Sequence, residues 1–314
     1  MRIEKQITLL CPSDKTSLVT TEDSLKCPNC GNVFKIKNKV IKFLEDDNLF
    51  YEGRYKNKIK YLPKRESFIW LLPIWMLSNN YVWNVRKQMP EGSTIIELGC
   101  AGGVEYFGKR YNMIGMDLSY SSLADLTDSY NLCIQADAMG TIPLPDSSVD
   151  AVISSYFWEH ITKENKLKML KELYRVLKPG GKIIFLYDVE TKNKLLKKLK
   201  VKNSSLYEKL FLEGDSHVGY HTPEENEKIF AKSKFSVTKN FGMERTWLQS
   251  HSVYLKLIET EGLLKFIGKV GLIFLKPPFY YMHLLMVLLI DHTIGRLWPI
   301  ENSRILLTIA KKNT

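Results

Sequence analysis

From residue 94 onward the chain switches repeatedly between two periodicities, and this limits its fold more than any other feature. Thr94–Leu98, Met113–Met116, Leu132–Ala136, Val149–Ser154 and Lys182–Tyr187 are short apolar runs that contain β-branched residues. Helical patterns separate them, for example Lys163–Leu177, where Leu167, Leu170, Leu173 and Leu177 recur at helical spacing. Strand–helix alternation of this kind predicts an α/β fold with a parallel, doubly wound sheet. Phe235–Glu244 and Arg304–Lys311 read as two more strands. Between them, residues 246–300 break the rhythm and are strongly apolar. Phe279–Ile290 carries no formal charge, but it is shorter than the ~20 residues a membrane-spanning helix needs. Extending it back to Gly271 takes in Lys276 and the Pro277-Pro278 pair. The insertion therefore reads as interfacial or re-entrant rather than spanning.

Ile95-Ile96-Glu97-Leu98-Gly99-Cys100-Ala101-Gly102-Gly103 is a buried strand running into a glycine-rich turn. Small residues there let the backbone approach a ligand closely. Asp117 ends the next strand, where an acid can accept hydrogen bonds from both hydroxyls of a ribose. Asp137 ends the third, in Gln135-Ala136-Asp137-Ala138, where a carboxylate can accept from an adenine amino group.

In this order the residues resemble the class I S-adenosylmethionine-dependent methyltransferases. The glycine-rich turn, the acids after the second and third strands, and Leu177-Lys178-Pro179-Gly180-Gly181 before the fifth strand match that family's pattern. So do Val149–Ser154 with Glu159-His160, and the element His217–Glu225. The resemblance covers about residues 92–244 and 303–311. It implies a Rossmann-like seven-stranded methyltransferase sheet with S-adenosyl-L-methionine as cofactor. The implied cofactor residues are Glu97, Gly99, Ala101, Gly103, Asp117, Leu118, Asp137, Ala138 and Ser154. Acids near the turn suit a cationic sulfonium and amino group, whereas Glu97 would repel a pyrophosphate, which needs free amides at a helix N-terminus. The chain departs from the family at Ala101, where glycine is usual. Its methyl group either crowds the methionine part of the cofactor or is accommodated by a small backbone shift.

The resemblance places His160 after the fourth strand and His217 after the fifth. Both are candidate catalytic residues, because an alcohol acceptor needs a base and histidine suits that task near neutral pH. His221 and Tyr156 are weaker candidates. No Asn-Pro-Pro-Tyr-like motif occurs, which disfavours amino methylation of DNA bases, and no cysteine stands in a nucleophile position for 5-methylpyrimidine chemistry.

Five cysteines, an odd number, argue against a secreted disulfide framework. The first residues lead into no apolar signal region, so the expected compartment is cytoplasmic, with membrane association. Cys27-Pro28-Asn29-Cys30-Gly31 is a knuckle that presents two thiolates to one zinc ion, and Cys11 and Asp14 stand at the spacing of the partner pair. The competing reading is a ribbon that has lost its metal and survives by packing Val33, Phe34, Ile36, Val40, Ile41 and Phe43. Cys100 and Cys133 read as core residues. The expected organisation is a zinc-ribbon-like element over 1–47, a helical lead-in over 48–92 and a methyltransferase domain over 93–314.

Formal charge of +11 points to an anionic partner, either nucleic acid or a phospholipid surface. Lysines cluster over 35–42 and 192–202; such runs follow a phosphate backbone or form a solvated helix face. The insertion, flanked by Lys265, Lys269, Lys276 and Arg296, suits a lipid interface with lysines snorkelling to headgroups. Its competing readings are a helical lid or a dimer interface, and the oligomeric state stays open. Phe68–Leu77 adds a second apolar segment, expected over the cofactor mouth. The sequence thus points to methyl transfer onto a hydroxyl of a lipophilic or lipid-linked small molecule or glycan. The alternatives are an RNA base methyltransferase docked by the ribbon, and a non-catalytic interaction protein that keeps the fold.

Overall fold

A computed structural model describes residues 7–45, 52, 80–276 and 278–313. The segment Phe68–Leu77 and most of the lead-in lie outside the described residues. The chain begins with β1 (Val19–Thr20), β2 (Ser24–Lys26), β3 (Val33–Lys37) and β4 (Val40–Lys42). After α1 (Asn80–Gln88) come β5 (Thr94–Leu98), α2 (Glu105–Arg110), β6 (Asn112–Asp117), α3 (Tyr120–Ala124), β7 (Leu132–Gln135) and β8 (Val149–Ser155). There follow α4 (Lys163–Val176), β9 (Leu177–Asp188), α5 (Lys194–Lys202), α6 (Pro223–Lys232) and β10 (Phe235–Met243). Three helices, α7 (His251–Leu257), α8 (Gly262–Gly271) and α9 (Phe279–His292), precede the last strand, β11 (Ile305–Lys312).

All five residues of β5 are buried, as expected of a parallel strand covered on both faces. Neighbouring side chains go to opposite layers. Ile96, Ile114, Ile134 and Val152 pack with Leu170, Leu173 and Phe230 of α4 and α6. Ile95, Met113, Ala151 and Ile153 pack with Val82, Val85, Phe107 and Leu123 of α1 to α3. The strand order is β7-β6-β5-β8-β9-β11-β10 through this part, with β11 antiparallel to both neighbours. All seven expected strands are present.

Two features differ from the sequence expectation. Among the described residues the sheet has eleven strands rather than seven, because β4 pairs in parallel with β7 and carries β3, β2 and β1 outward. The Phe43 N–H continues this pairing onto the Gln135 carbonyl. An unpaired β7 would leave an open edge of N–H and C=O groups, and the N-terminal element closes it. The Leu177–Gly181 turn also belongs to β9 itself. The strand bulges between the Val149–Leu177 and Ala151–Lys182 pairs, with Gly180 at φ +73°.

The insertion leaves the sheet at Met243, which pairs with Ile305, itself opposite Asp188 at the end of β9. It therefore emerges at the carboxyl ends of the parallel strands, where open α/β sheets bind ligands. Leu257 and Leu264 of the insertion share a cluster with Leu196 and Leu199 of α5. Among the described residues, no helix is long and apolar enough to cross a membrane.

Candidate active site

The turn after β5 has three residues in the left-handed region: Gly99 at φ +58°, Ala101 at +42° and Gly103 at +57°. A Cβ at Gly99 would stand 2.6 Å from the Phe157 ring, and one at Gly103 would stand 2.5 Å from Leu126. Among the described residues a Cβ at Gly102 would meet nothing within 4 Å, so within these the turn is packed at both ends and open in the middle. Ala101 keeps its methyl group in a conformation that costs an L-residue about 1–2 kcal/mol.

Asp117 holds this turn from the end of β6. Its Oδ2 accepts the Ala101 N–H at 2.9 Å, and its Oδ1 accepts the Ser119 N–H at 2.9 Å. Burial pushes its carboxyl above the usual range, against the pull of these amides. Leu118 follows half-buried, its carbonyl accepting from Gln135 Nε2 at 3.1 Å. Asp137 is half-buried and accepts the Met139 N–H at 2.9 Å, and Ala138 is buried. Ser154, fully buried at the end of β8, has a hydroxyl with no partner. Each carboxylate oxygen has two lone pairs, so Asp117 keeps acceptor capacity for a ribose. The acidic groups and open turn fit a cofactor with a ribose and a cationic methionine part.

Glu97 is also buried, and the Tyr81 and Tyr130 hydroxyls donate to its two oxygens. The Tyr130 hydroxyl in turn accepts the Val104 N–H at 3.0 Å. Glu97 is thereby tied to the far end of the glycine turn. Sequence pattern did not reveal these tyrosines, nor Glu52, which accepts from the Tyr120 and Ser121 amides at the start of α3.

His160 and His217 come together, with ring centroids 5.2 Å apart. His160 Nδ1 lies 3.0 Å from the Ser216 carbonyl and donates to it. His217 lies against Tyr220, and its buried Nδ1 has no partner. Burial lowers its pKa to about 3, and His160, Lys256 and Arg304 also work against the cation. The ring is therefore neutral near pH 7. His221 instead fixes its own loop, through the Gly219 carbonyl at 2.7 Å and Lys166 at 3.1 Å. Glu159 is buried beside the two rings, and burial, then Asp188, pushes its carboxyl well up. Behind it Arg304 donates to Asp188 at 3.0 Å and to both oxygens of Glu244 at 2.7 and 3.1 Å. The only sequence signal for Glu159 was its place next to His160; nothing pointed to Arg304 or Glu244.

In the N-terminal element Cys11, Asp14, Cys27 and Cys30 converge, with ligand atoms all within 4.8 Å of one another. Cys11 and Cys30 sulfurs are 3.6 Å apart, and Cys27 lies 3.4 Å from Asp14 Oδ2. The amide of Thr16 and the side chain of Asn29 hold Asp14 well below the usual carboxylate range. The Asn32 amide pulls the Cys30 thiol down, yet desolvation and the neighbours Cys27, Cys11 and Asp14 push it up to about 12. A bound cation would favour the thiolate form that desolvation and these neighbours disfavour. Cys100, in the glycine turn, and Cys133, in β7, are both buried, as expected of core residues.

A separate cleft of about 390 Å³, lined by Thr94, Asn112, Leu132 and Val149, opens at the amino ends of the strands, away from the glycine turn. Ligands of such sheets bind at the other end.

A glycine turn after the central strand, acids after the next two strands and a final antiparallel strand define a Rossmann-like class I methyltransferase fold. Residues 96–185 match the family described as a methyltransferase domain. A tRNA (carboxymethyluridine(34)-5-O)-methyltransferase of Arabidopsis thaliana is 34% identical over 101 residues, covering 31% of this chain and 24% of the relative. A probable S-adenosylmethionine-dependent methyltransferase of Mycolicibacterium smegmatis is 28% identical over 127 residues, covering 38% and 46%. The chain thus spans a quarter to a half of these relatives. The YcgJ protein of Bacillus subtilis superposes with a TM-score of 0.45 at 14% identity, covering 75% of this chain and 99% of that one.

Proposed function

We propose that the protein transfers the methyl group of S-adenosylmethionine to a hydroxyl of a lipophilic or lipid-linked small molecule or glycan, working at a membrane surface. The cofactor, when bound, supplies an electrophilic methyl group. Asp117 is assigned to the ribose, Asp137 with Leu118 and Ala138 to the adenine, and Gly99, Ala101, Gly103 and Ser154 to the open cradle. Glu97 shapes that cradle through Tyr81 and Tyr130. His160 and His217 stand beyond β8 and β9, on the acceptor side, and are assigned to the acceptor's proton. Positioning of the acceptor in line with the methyl group supplies much of the rate.

One observation carries the choice of acceptor. The insertion exposes apolar side chains at helical spacing: Leu263, Phe266 and Val270 on α8, and Met282, Leu285, Met286 and Leu289 on α9. Lys265, Lys269, Lys276 and Arg296 are exposed around them. Lysine-rich α5 ends beside α8, since a Cβ at Gly262 would lie 3.9 Å from Lys202 Nζ. Apolar stripes with a basic rim match an anionic lipid interface.

The second reading is RNA. It is favoured by the matched relatives named as tRNA methyltransferases, with the N-terminal element as the docking module. Labelled S-adenosylmethionine incubated with lipid, glycan and RNA extracts separates the two: label in the lipid or glycan fraction supports the proposal, and label confined to RNA overturns it. Cys11, Asp14, Cys27 and Cys30 are assigned to one zinc ion that holds the N-terminal element. Chelation should then lower its protease resistance, and unchanged resistance would argue against zinc.

A further inference from the structure

We propose that Glu159, His160 and His217 form a second metal site, which binds a divalent first-row transition ion such as Zn2+, Mn2+ or Co2+ on the acceptor side. One ligand atom from each lies within 4.8 Å of the others. With metal–ligand bonds of about 2.1 Å, donors to one tetrahedral ion stand about 3.4 Å apart, so binding would draw in any pair that is wider than this. A carboxylate with two imidazoles suits these ions.

Three independent features prepare the site. Glu159 is 1% exposed and its Oε2 has no partner among the described residues, and the buried Nδ1 of His217 has none among them either. A buried acceptor left unpaired costs about 1–3 kcal/mol, and here two such atoms belong to one cluster. Neighbouring groups also orient the ligands: the Ser216 carbonyl takes the Nδ1 proton of His160, and the Asp188 amide donates to Glu159 Oε1 at 3.4 Å. Metal-ligating side chains are habitually held in this way. Finally, the backbone is shaped to bring the two loops together. The Gly219 N–H donates to the Glu159 carbonyl at 2.9 Å, and a Cβ on Gly219 would lie 1.8 Å from the Ile161 carbonyl oxygen.

The nearby charge is mixed: Asp188 and Asp215 favour a cation here, while Lys256 and Arg304 oppose one. Arg304 is committed to Asp188 and Glu244, and Lys256 to Asp215. Among the described residues no ion pair includes Glu159. Lys166 acts on it only at longer range.

The inference rests on the methyltransferase reading for what the ion does, but not for its binding. An ion there acidifies the acceptor hydroxyl. The O–H proton leaves to solvent and the O–C bond forms as the S–C bond breaks. The electron pair of that bond stays on sulfur, and the sulfonium becomes a neutral thioether. The two rings then serve the acceptor through the ion rather than by taking its proton directly.

The test is Co2+ titration of the chelator-stripped full chain, followed by calorimetry and visible absorption. We expect two sites: one with sulfur-to-cobalt charge transfer from the cysteine cluster, the other without it. Glu159→Gln and His217→Ala should each weaken the second site at least tenfold and leave the thiolate spectrum intact, which also reports folding. If Glu159→Gln misfolds, His217→Ala carries the test. A wild type with no second site, or variants that keep it unchanged, overturns the proposal. S-adenosylmethionine binding, measured in parallel, separates the outcomes: ion binding without cofactor binding removes the methyltransferase reading alone, and the converse removes the ion alone.

Discussion

The apolar stripe on α8 can be removed without touching the core, which makes it a clean perturbation. Leu263 is 59% exposed and Phe266 63% exposed, three residues apart on one helix face. Full burial of such side chains is worth about 1.5–3 kcal/mol each. Scaled by their exposure, the pair offers a membrane about 3 kcal/mol, roughly a hundredfold in partitioning. Leu263→Ser combined with Phe266→Ser should therefore reduce binding to vesicles containing anionic lipid about a hundredfold, as read by co-sedimentation. The thermal transition should barely move, because surface substitutions change stability by roughly 0.5 kcal/mol or less. Binding by the wild type should also weaken with salt, since each basic residue near the surface adds about 1 kcal/mol of screened attraction. A double variant that binds vesicles like the wild type would exclude the α8 stripe as the lipid contact. So would a wild type that ignores vesicles and sediments as a dimer which the two substitutions dissociate.

Two further predictions concern the turn and the root of the insertion. Ala101→Gly relieves a left-handed penalty of about 1–2 kcal/mol and adds about 0.4–1 kcal/mol of unfolded-chain entropy. The urea midpoint should rise slightly, and a clear fall would show that the methyl group packs usefully. Asp291 is buried near Glu244, and burial first, then that charge, raises its pKa to about 8. From about pH 4 to pH 8 the folded protein keeps a proton that the unfolded chain releases, so this group weakens the fold as pH rises through that window. Asp291→Asn should match the wild type near pH 4 and exceed it at pH 9 by on the order of a few kcal/mol; equal denaturation curves at pH 9 would contradict the assignment.

The sheet was legible in the sequence because its strands are buried on both faces and each is followed by its own punctuation. Thr94–Leu98 and the glycines after it need no tertiary information. The pairing of Val40–Lys42 with Leu132–Gln135 was not legible, since an edge strand of three residues carries no periodic signal of its own. At the site, Asp117 and Asp137 could be read because strand ends fix their places. Tyr130 reaches Glu97 from 33 residues away, and Arg304 reaches Glu244 from 60. Contacts of that range depend on how the layers pack, which a local pattern does not encode. Ala101 shows the opposite case: sequence flagged the residue, and its φ of +42° gives the physical reason glycine is expected there.

If the open turn and Asp117 hold S-adenosylmethionine, calorimetry reads that binding without any need to know the acceptor. Hydrogen bonds to a charged group are worth about 1.5–3 kcal/mol each. Loss of two from the ribose hydroxyls should weaken binding at least about a hundredfold. The wild type should bind one cofactor per chain, and Asp117→Ala should show that loss. A wild type that binds no S-adenosylmethionine, or an Asp117→Ala protein that binds it as tightly, would remove the cofactor site from the glycine turn.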